Sequence, residues 1–343
     1  MTKKENKKGN QVVRAMKECF RSFNLPVNKF KALPDNSINV VFTSKLCNDH
    51  ICADVTVTHD KQRGYGEIKI ESLLIIPSER LTEVIRLLDL YNRVMPFDHY
   101  SVCPCCNSVV VKTALFLPND GLPVGKFKRL IRNVLEHTYI GFPLIYEVMI
   151  GGNPEDASVR FREGYKALRE MSDTMSDDAA GIVLRDMESV LQDRRITIRE
   201  ENRLEDGFIA AFGETELTDF VLSMIIQLFR DRAMVVLELF PSFTIPDEKI
   251  VQITESINWV NRYFSGGCMF LDREDKQVRF RKGIMIDNNV LDKWELNNAI
   301  RSMVSGVCVF FPSIMDQLAS DESLETLMDK RRESYKDYNQ ESE

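Results

Sequence analysis

The chain has 343 residues, 44% of them hydrophobic and 28% charged, the composition of a globular protein of about two domains. Its charge is 45 − 52 = −7; Met1 to Lys31 holds nine Lys/Arg against two Glu (+7), which leaves −14 for the remainder. An acidic bulk of this kind argues against a general nucleic-acid binder, because phosphate contacts need a basic surface.

The N-terminus, MTKKENKKGN (1–10), has charge but no apolar core and no small-residue cleavage site, so it reads as a basic solvated tail and not a secretory signal. Apolar runs such as VLSMIIQLF (Val221 to Phe229) are shorter than the roughly 18 residues that suggest a membrane span. Eight irregularly spaced cysteines without a signal imply reduced thiols and a cytoplasmic location.

A helix is predicted over QVVRAMKECFRSF, followed by three strands, SINVVFTS, HICADVTVT and YGEIKIESLLI. Leu81, Val84, Ile85 and Leu88 then follow the i, i+3, i+4, i+7 spacing of a helix with one buried stripe. A hairpin comes next, with Val109, Val111, Leu115 and Leu117 alternating. A longer helix closes the unit through Phe127, Leu130, Ile131, Val134 and Leu135.

Residues 151–181 open on Gly-Gly-Asn-Pro and read as an acidic linker in which Phe161, Tyr165 and Leu168 form a short amphipathic helix. The same series of elements then recurs. NRVMPFDHYSV from Asn92 matches NRYFSGGCMFL from Asn261 at an offset of 169, and the register continues through Val109/Val278, Ile131/Ile300, Phe142/Phe311 and Pro143/Pro312. Such internal similarity implies one structural unit used twice. The expected domains are 11–150 and 182–327, with a charged tail over 328–343 that frays into solvent. Each unit reads α-βββ-α-ββ-α, an α+β fold of helices packed on an antiparallel sheet.

That order, with a strand ending in IIP or TIP before a helix, an Asn-rich helix end (YNRVMPFDHYSV) and an aromatic-Pro step in the last helix (GFPLI, FFPSI), resembles the YbjN family. That family shares the fold of type III secretion chaperones. The resemblance covers roughly Gln11 to Ile150 and Ile182 to Leu327. It implies a bacterial, cytoplasmic, single-chain pseudo-dimer that holds another polypeptide and has no catalytic residues to carry over; further homo-oligomerisation stays open.

The offset places Cys103-Pro104-Cys105-Cys106 at a hairpin tip that is Asp272-Arg273-Glu274-Asp275 in the second copy. Pro104 and Asn107 satisfy a turn on backbone grounds alone. Cys103 and Cys106 also have C-x-x-C spacing, and with Cys47 and Cys52 they form a candidate zinc set, although no metal or other cofactor is expected. Flanking strands, with no helix N-terminus to activate a thiol, argue against a redox pair.

All four histidines (His50, His59, His99, His137) fall in the first copy, and no phosphate-loop, zinc-protease or nucleophile-elbow motif occurs, so a non-enzymatic protein is expected. In the second copy the strands around Val221, Ile225, Phe229 and Met234 are apolar on both faces, which requires cover on both. The outer face is either core shared between the copies or a surface that binds a polypeptide partner. An Ile225→Asp variant separates the two.

Overall fold

The structure is a computed structural model and describes residues 18–19, 21–23, 29–32, 38–47, 51–60, 65–116, 124–169, 175–194, 196, 203–212, 222–264 and 266–330. The basic N-terminus, most of the first predicted helix and residues 331–343 lie outside them. Mixed α+β structure is observed, with two antiparallel sheets.

The first sheet holds β1 (Lys29–Ala32), β2 (Ile38–Cys47), β3 (Ile51–Asp60), β4 (Tyr65–Ile75), β5 (Asp98–Val102) and β6 (Ser108–Phe116), in the order β1-β2-β3-β4-β6-β5. The second holds β7 (Arg203–Leu204), β8 (Gly207–Phe212), β9 (Leu222–Phe229), β10 (Met234–Pro241), β11 (Cys268–Asp272) and β12 (Gln277–Met285), in the order β7-β8-β9-β10-β12-β11. The two orders are the same. The registers agree as well: Tyr65 pairs with Phe116, and Met234, 169 residues after Tyr65, pairs with Met285. The short strands β1 and β7 carry too little alternation to have been legible.

The helices follow from their apolar spacing. Helix α1 (Leu81–Asn92) buries Val84, Ile85, Leu88 and Tyr91, and α5 (Ile250–Tyr263) buries Ile253, Ile257 and Val260. Helices α2 (Val124–Met149) and α6 (Lys293–Ala319) lie behind the hairpins, and α4 (Asp177–Asp193) precedes the second sheet, with the Ser176 hydroxyl accepting from the Ala179 amide at its start. Each buried Leu, Ile, Val or Phe contributes roughly 1.5–3 kcal/mol. Helix α6 is long and apolar enough to cross a membrane by length and composition, contrary to the expectation from shorter runs. Its stripe of Leu296, Ile300, Met303, Val307 and Phe311 is buried in the second core.

The predicted linker is different from expectation. Helix α3 (Pro154–Arg169) is capped by Asn153, whose side-chain oxygen accepts from the amides of Glu155 (2.8 Å) and Asp156 (3.1 Å). Phe161 stacks on Tyr91 with ring centroids 3.8 Å apart, so α3 is part of the first core. Residues 324–330 are likewise helical, with Leu324 and Met328 in the second core, where a fraying tail was expected from 328 onward.

The two halves touch through reciprocal contacts. The Leu271 amide donates to Asp89 Oδ1 (3.1 Å), and the Val102 amide donates to Asn258 Oδ1 (2.7 Å). His99 Nε2 donates to the Asn261 carbonyl (2.7 Å), and the Cys268 thiol to the Asn92 carbonyl (3.7 Å). Lys112 reaches the Arg262 carbonyl as Arg281 reaches that of Arg93. In each pair the residues are related by 169. Met285 enters the first core, and its equivalent Phe116 packs against the second.

Candidate functional site: the Cys103–Cys106 turn

The turn joins β5 to β6. The Cys103 amide donates to the Ser108 carbonyl (2.8 Å), and the Cys103 carbonyl accepts from Asn107 (2.7 Å) and Cys106 (3.4 Å). Asn107 closes it in the left-handed region (φ 51°), as its equivalent Lys276 does (φ 53°). Asn tolerates that conformation better than most side chains. The Asn107 carbonyl accepts from the Ile76 amide (2.9 Å), and that of Lys276 from Ile245 (2.7 Å). The isoleucine of each IIP or TIP step therefore pins a hairpin tip.

Cys103 is buried, while Cys105 and Cys106 are exposed. The three sulfur atoms lie within 4.8 Å of one another, with Cys103 and Cys105 at 2.8 Å. Cys106 Sγ is 3.1 Å from the Ser108 hydroxyl, which donates to Glu71 Oε1 (2.9 Å). Burial pushes the Glu71 carboxyl up, but hydrogen bonds from Lys69, Ser108 and Cys106 outweigh it and hold the group below its ordinary range. From the other half, the Arg262 guanidinium faces Cys105 Sγ at 3.7 Å. In the second tip its equivalent, Arg93, faces Asp272 at 3.2 Å.

The structure thus brings Cys103 and Cys106 together and adds Cys105, which the C-x-x-C spacing passed over. Cys47 and Cys52 lie on β2 and β3, where the side chains are outside the described residues. Strand β4 separates β3 from β6, a lateral distance of roughly 10 Å.

Around the turn, Leu73 and Ile75 on β4 are 57% and 67% exposed, and Ile75 pairs with Ser108. Arg262 lies over the Tyr263 ring, which contacts Trp259 (centroids 4.7 Å apart). The second half differs at the same places. There Ser242 and Thr244 stand for Leu73 and Ile75, and Glu274 and Asp275 for Cys105 and Cys106; all four are exposed.

Of the apolar sheet residues, Met234 is buried, Ile225 and Phe229 are half-buried, and Val221 lies outside the described residues. Ile225 sits directly opposite Glu238. That carboxylate accepts from Arg281 Nε (2.6 Å) and Arg279 (3.2 Å), and the Arg232 guanidinium lies 5.2 Å from the Phe229 ring centroid. A charged row therefore interrupts the face.

Two further polar groups were missed in the sequence. His137 Nδ1 pairs with Asp98 in the first core, and Lys126 pairs with Glu295 between the halves. The 169 offset itself carried the second signal, since it aligns position 126 with 295. His99 is buried beside Lys112 and Lys282, and burial together with those cations lowers its imidazole to about 3, so it is neutral. His50 and the side chain of His59 lie outside the described residues.

No protein-family model, no curated protein and no solved structure matches the chain. The YbjN resemblance rests on sequence pattern and element order alone.

Proposed function

We propose that this chain is a non-enzymatic binding module, two YbjN-like copies paired within one chain as a pseudo-dimer, and that it engages another polypeptide at the Cys103–Cys106 turn and its apolar border. One observation carries this reading. The first half exposes Leu73, Ile75, Cys105 and Cys106 where the second exposes Ser242, Thr244, Glu274 and Asp275. The same strand and turn fold with polar residues there, so folding does not account for the apolar set. Trp259 and Tyr263 extend the border with aromatic surface of the kind enriched in protein interfaces. The bound segment is apolar and reaches the turn by side-chain contact. The charged row through Glu238 makes the sheet face a weaker candidate.

The test gives the first half the second half's residues. A Leu73→Ser/Ile75→Thr variant should keep the wild-type circular dichroism and melting temperature. It should also lose, by at least tenfold, affinity for a protein that co-purifies stoichiometrically with the wild type and protects the turn amides from exchange. Undiminished affinity in the folded variant would reject the surface.

A second reading is favoured by the three converging sulfur atoms: a zinc- or thiol-responsive site. Three thiolates suit a soft or borderline ion, with zinc held at about 2.3 Å from each and a fourth position left to solvent or Glu71. Protein purified without added metal should then contain one zinc per chain, lost in Cys103→Ser. Zinc-free protein with three titratable thiols at the turn would remove the zinc form of this reading, and thiols whose oxidation leaves the melting temperature and assembly state unchanged would remove the other.

A further inference from the structure

Lys126 is the third residue of α2, and Glu295 is the third residue of α6. They are 169 positions apart and so hold the same place in the repeat. They also touch: Lys126 Nζ lies 2.8 Å from Glu295 Oε2, with the side chains 7% and 5% exposed. The contacts through Asp89/Asn258, His99/Cys268 and Lys112/Arg281 come as pairs, one on each side. A position that meets its own equivalent can lie only on the axis that relates the two halves. In a pair of identical units the residue there faces itself.

Here it faces the opposite charge. We infer that the Lys126–Glu295 pair makes the interface selective, admitting the unlike half of the chain and excluding a like half from a second molecule. Two first halves would bury two ammonium groups against each other, and two second halves two carboxylates. Removing the partner of a buried charge is far more disruptive than the net gain of the pair, so the pair acts mainly by penalising the wrong match. Local preference supports this role. Glu295 is favoured in the first turn of a helix, but Lys126 sits where the positive end of the α2 dipole disfavours a cation, so it is not there for the helix.

The inference rests on pairing of the two halves and is independent of the docking surface, so its test uses neither the turn nor a partner. In the full chain, Lys126→Glu and Glu295→Lys should each speed amide exchange at Val102 and Leu271, which bond across the interface, by tenfold or more. The exchange of Val111 and Leu237 inside the sheets should stay unchanged. The double variant Lys126→Glu/Glu295→Lys should return exchange to within about threefold of wild type. Should the single variants fail to fold, the recovery of the double variant remains the readout, and its failure to recover overturns the inference. In an equimolar mixture of the two single variants, opposite charges are available only between chains. Sedimentation should show a 1:1 dimer that neither variant nor wild type forms alone. Monomers only, beside a recovered double variant, would reduce the pair to a local ion pair and overturn partner selection.

Discussion

Asp89 and Asn258 do the same work from the same place, each accepting an amide of the opposite hairpin, yet one carries a charge. Burial raises the Asp89 carboxyl to about 6, against the Leu271 amide, Arg273 and Arg93, which lower it. A carboxyl raised in the folded state favours the protonated form, so wild-type stability falls as pH rises from about 4 through 6. Asp89→Asn, the residue already used in the second half, should stabilise the protein by about 1–3 kcal/mol at pH 7. That gain should vanish below pH 4 in denaturant titrations run across the range, and a pH-independent effect would contradict this account. Residues of this kind were only half legible. The offset aligned Arg93 with Arg262 and Cys103 with Asp272, but nothing in a single sequence says that the aligned arginine of one copy reaches the tip of the other.

At the scale of elements, periodicity served well wherever one face is buried. Strands β2–β4, β8–β10 and both hairpins stand where strands were expected; β9 alternates buried and half-buried residues with a period of two, whereas β5 is buried along its whole length. Periodicity also placed a helix at Phe161, Tyr165 and Leu168, seen as α3, but not its role: the helix was expected in a linker, and its packing is decided by Tyr91 and Tyr100, which are distant in sequence. It failed at the join of the halves. The Gly283 amide donates to the Pro96 carbonyl (2.6 Å), and a Cβ at 283 would come within 2.8 Å of that oxygen and of the Phe97 ring. Gly283→Ala should therefore cost roughly 1–3 kcal/mol through overpacking and should weaken the contact between halves. Calorimetry of this variant would show a lowered melting temperature; an unchanged one would mean that Phe97 has room to move.

Over the whole molecule, the exchange of Met285 and Phe116 between cores ties the stability of each half to the other. Both tryptophans, Trp259 and Trp294, lie in the second half, Trp259 beside the contact with the first, so their fluorescence reports on the second half and its contact with the first, whereas far-ultraviolet circular dichroism reports on both halves. The two signals should give one urea midpoint; transitions separated by more than experimental error would show that each half stands by itself. The offset of 169 residues agrees with the equal strand order of the two sheets, but it gave no sign of the side chains that cross between them, which obey no period.

The axis position has a consequence during synthesis. The first half leaves the ribosome about 170 residues before the second is finished, an interval of roughly ten to thirty seconds at 5–20 residues per second. Throughout that interval Phe116 and the free edge of β5 have no partner within their own chain, while neighbouring ribosomes on the same message display identical first halves. On the pairing inferred above, a premature match of two first halves would bury Lys126 against Lys126, and that penalty disfavours it until Glu295 arrives.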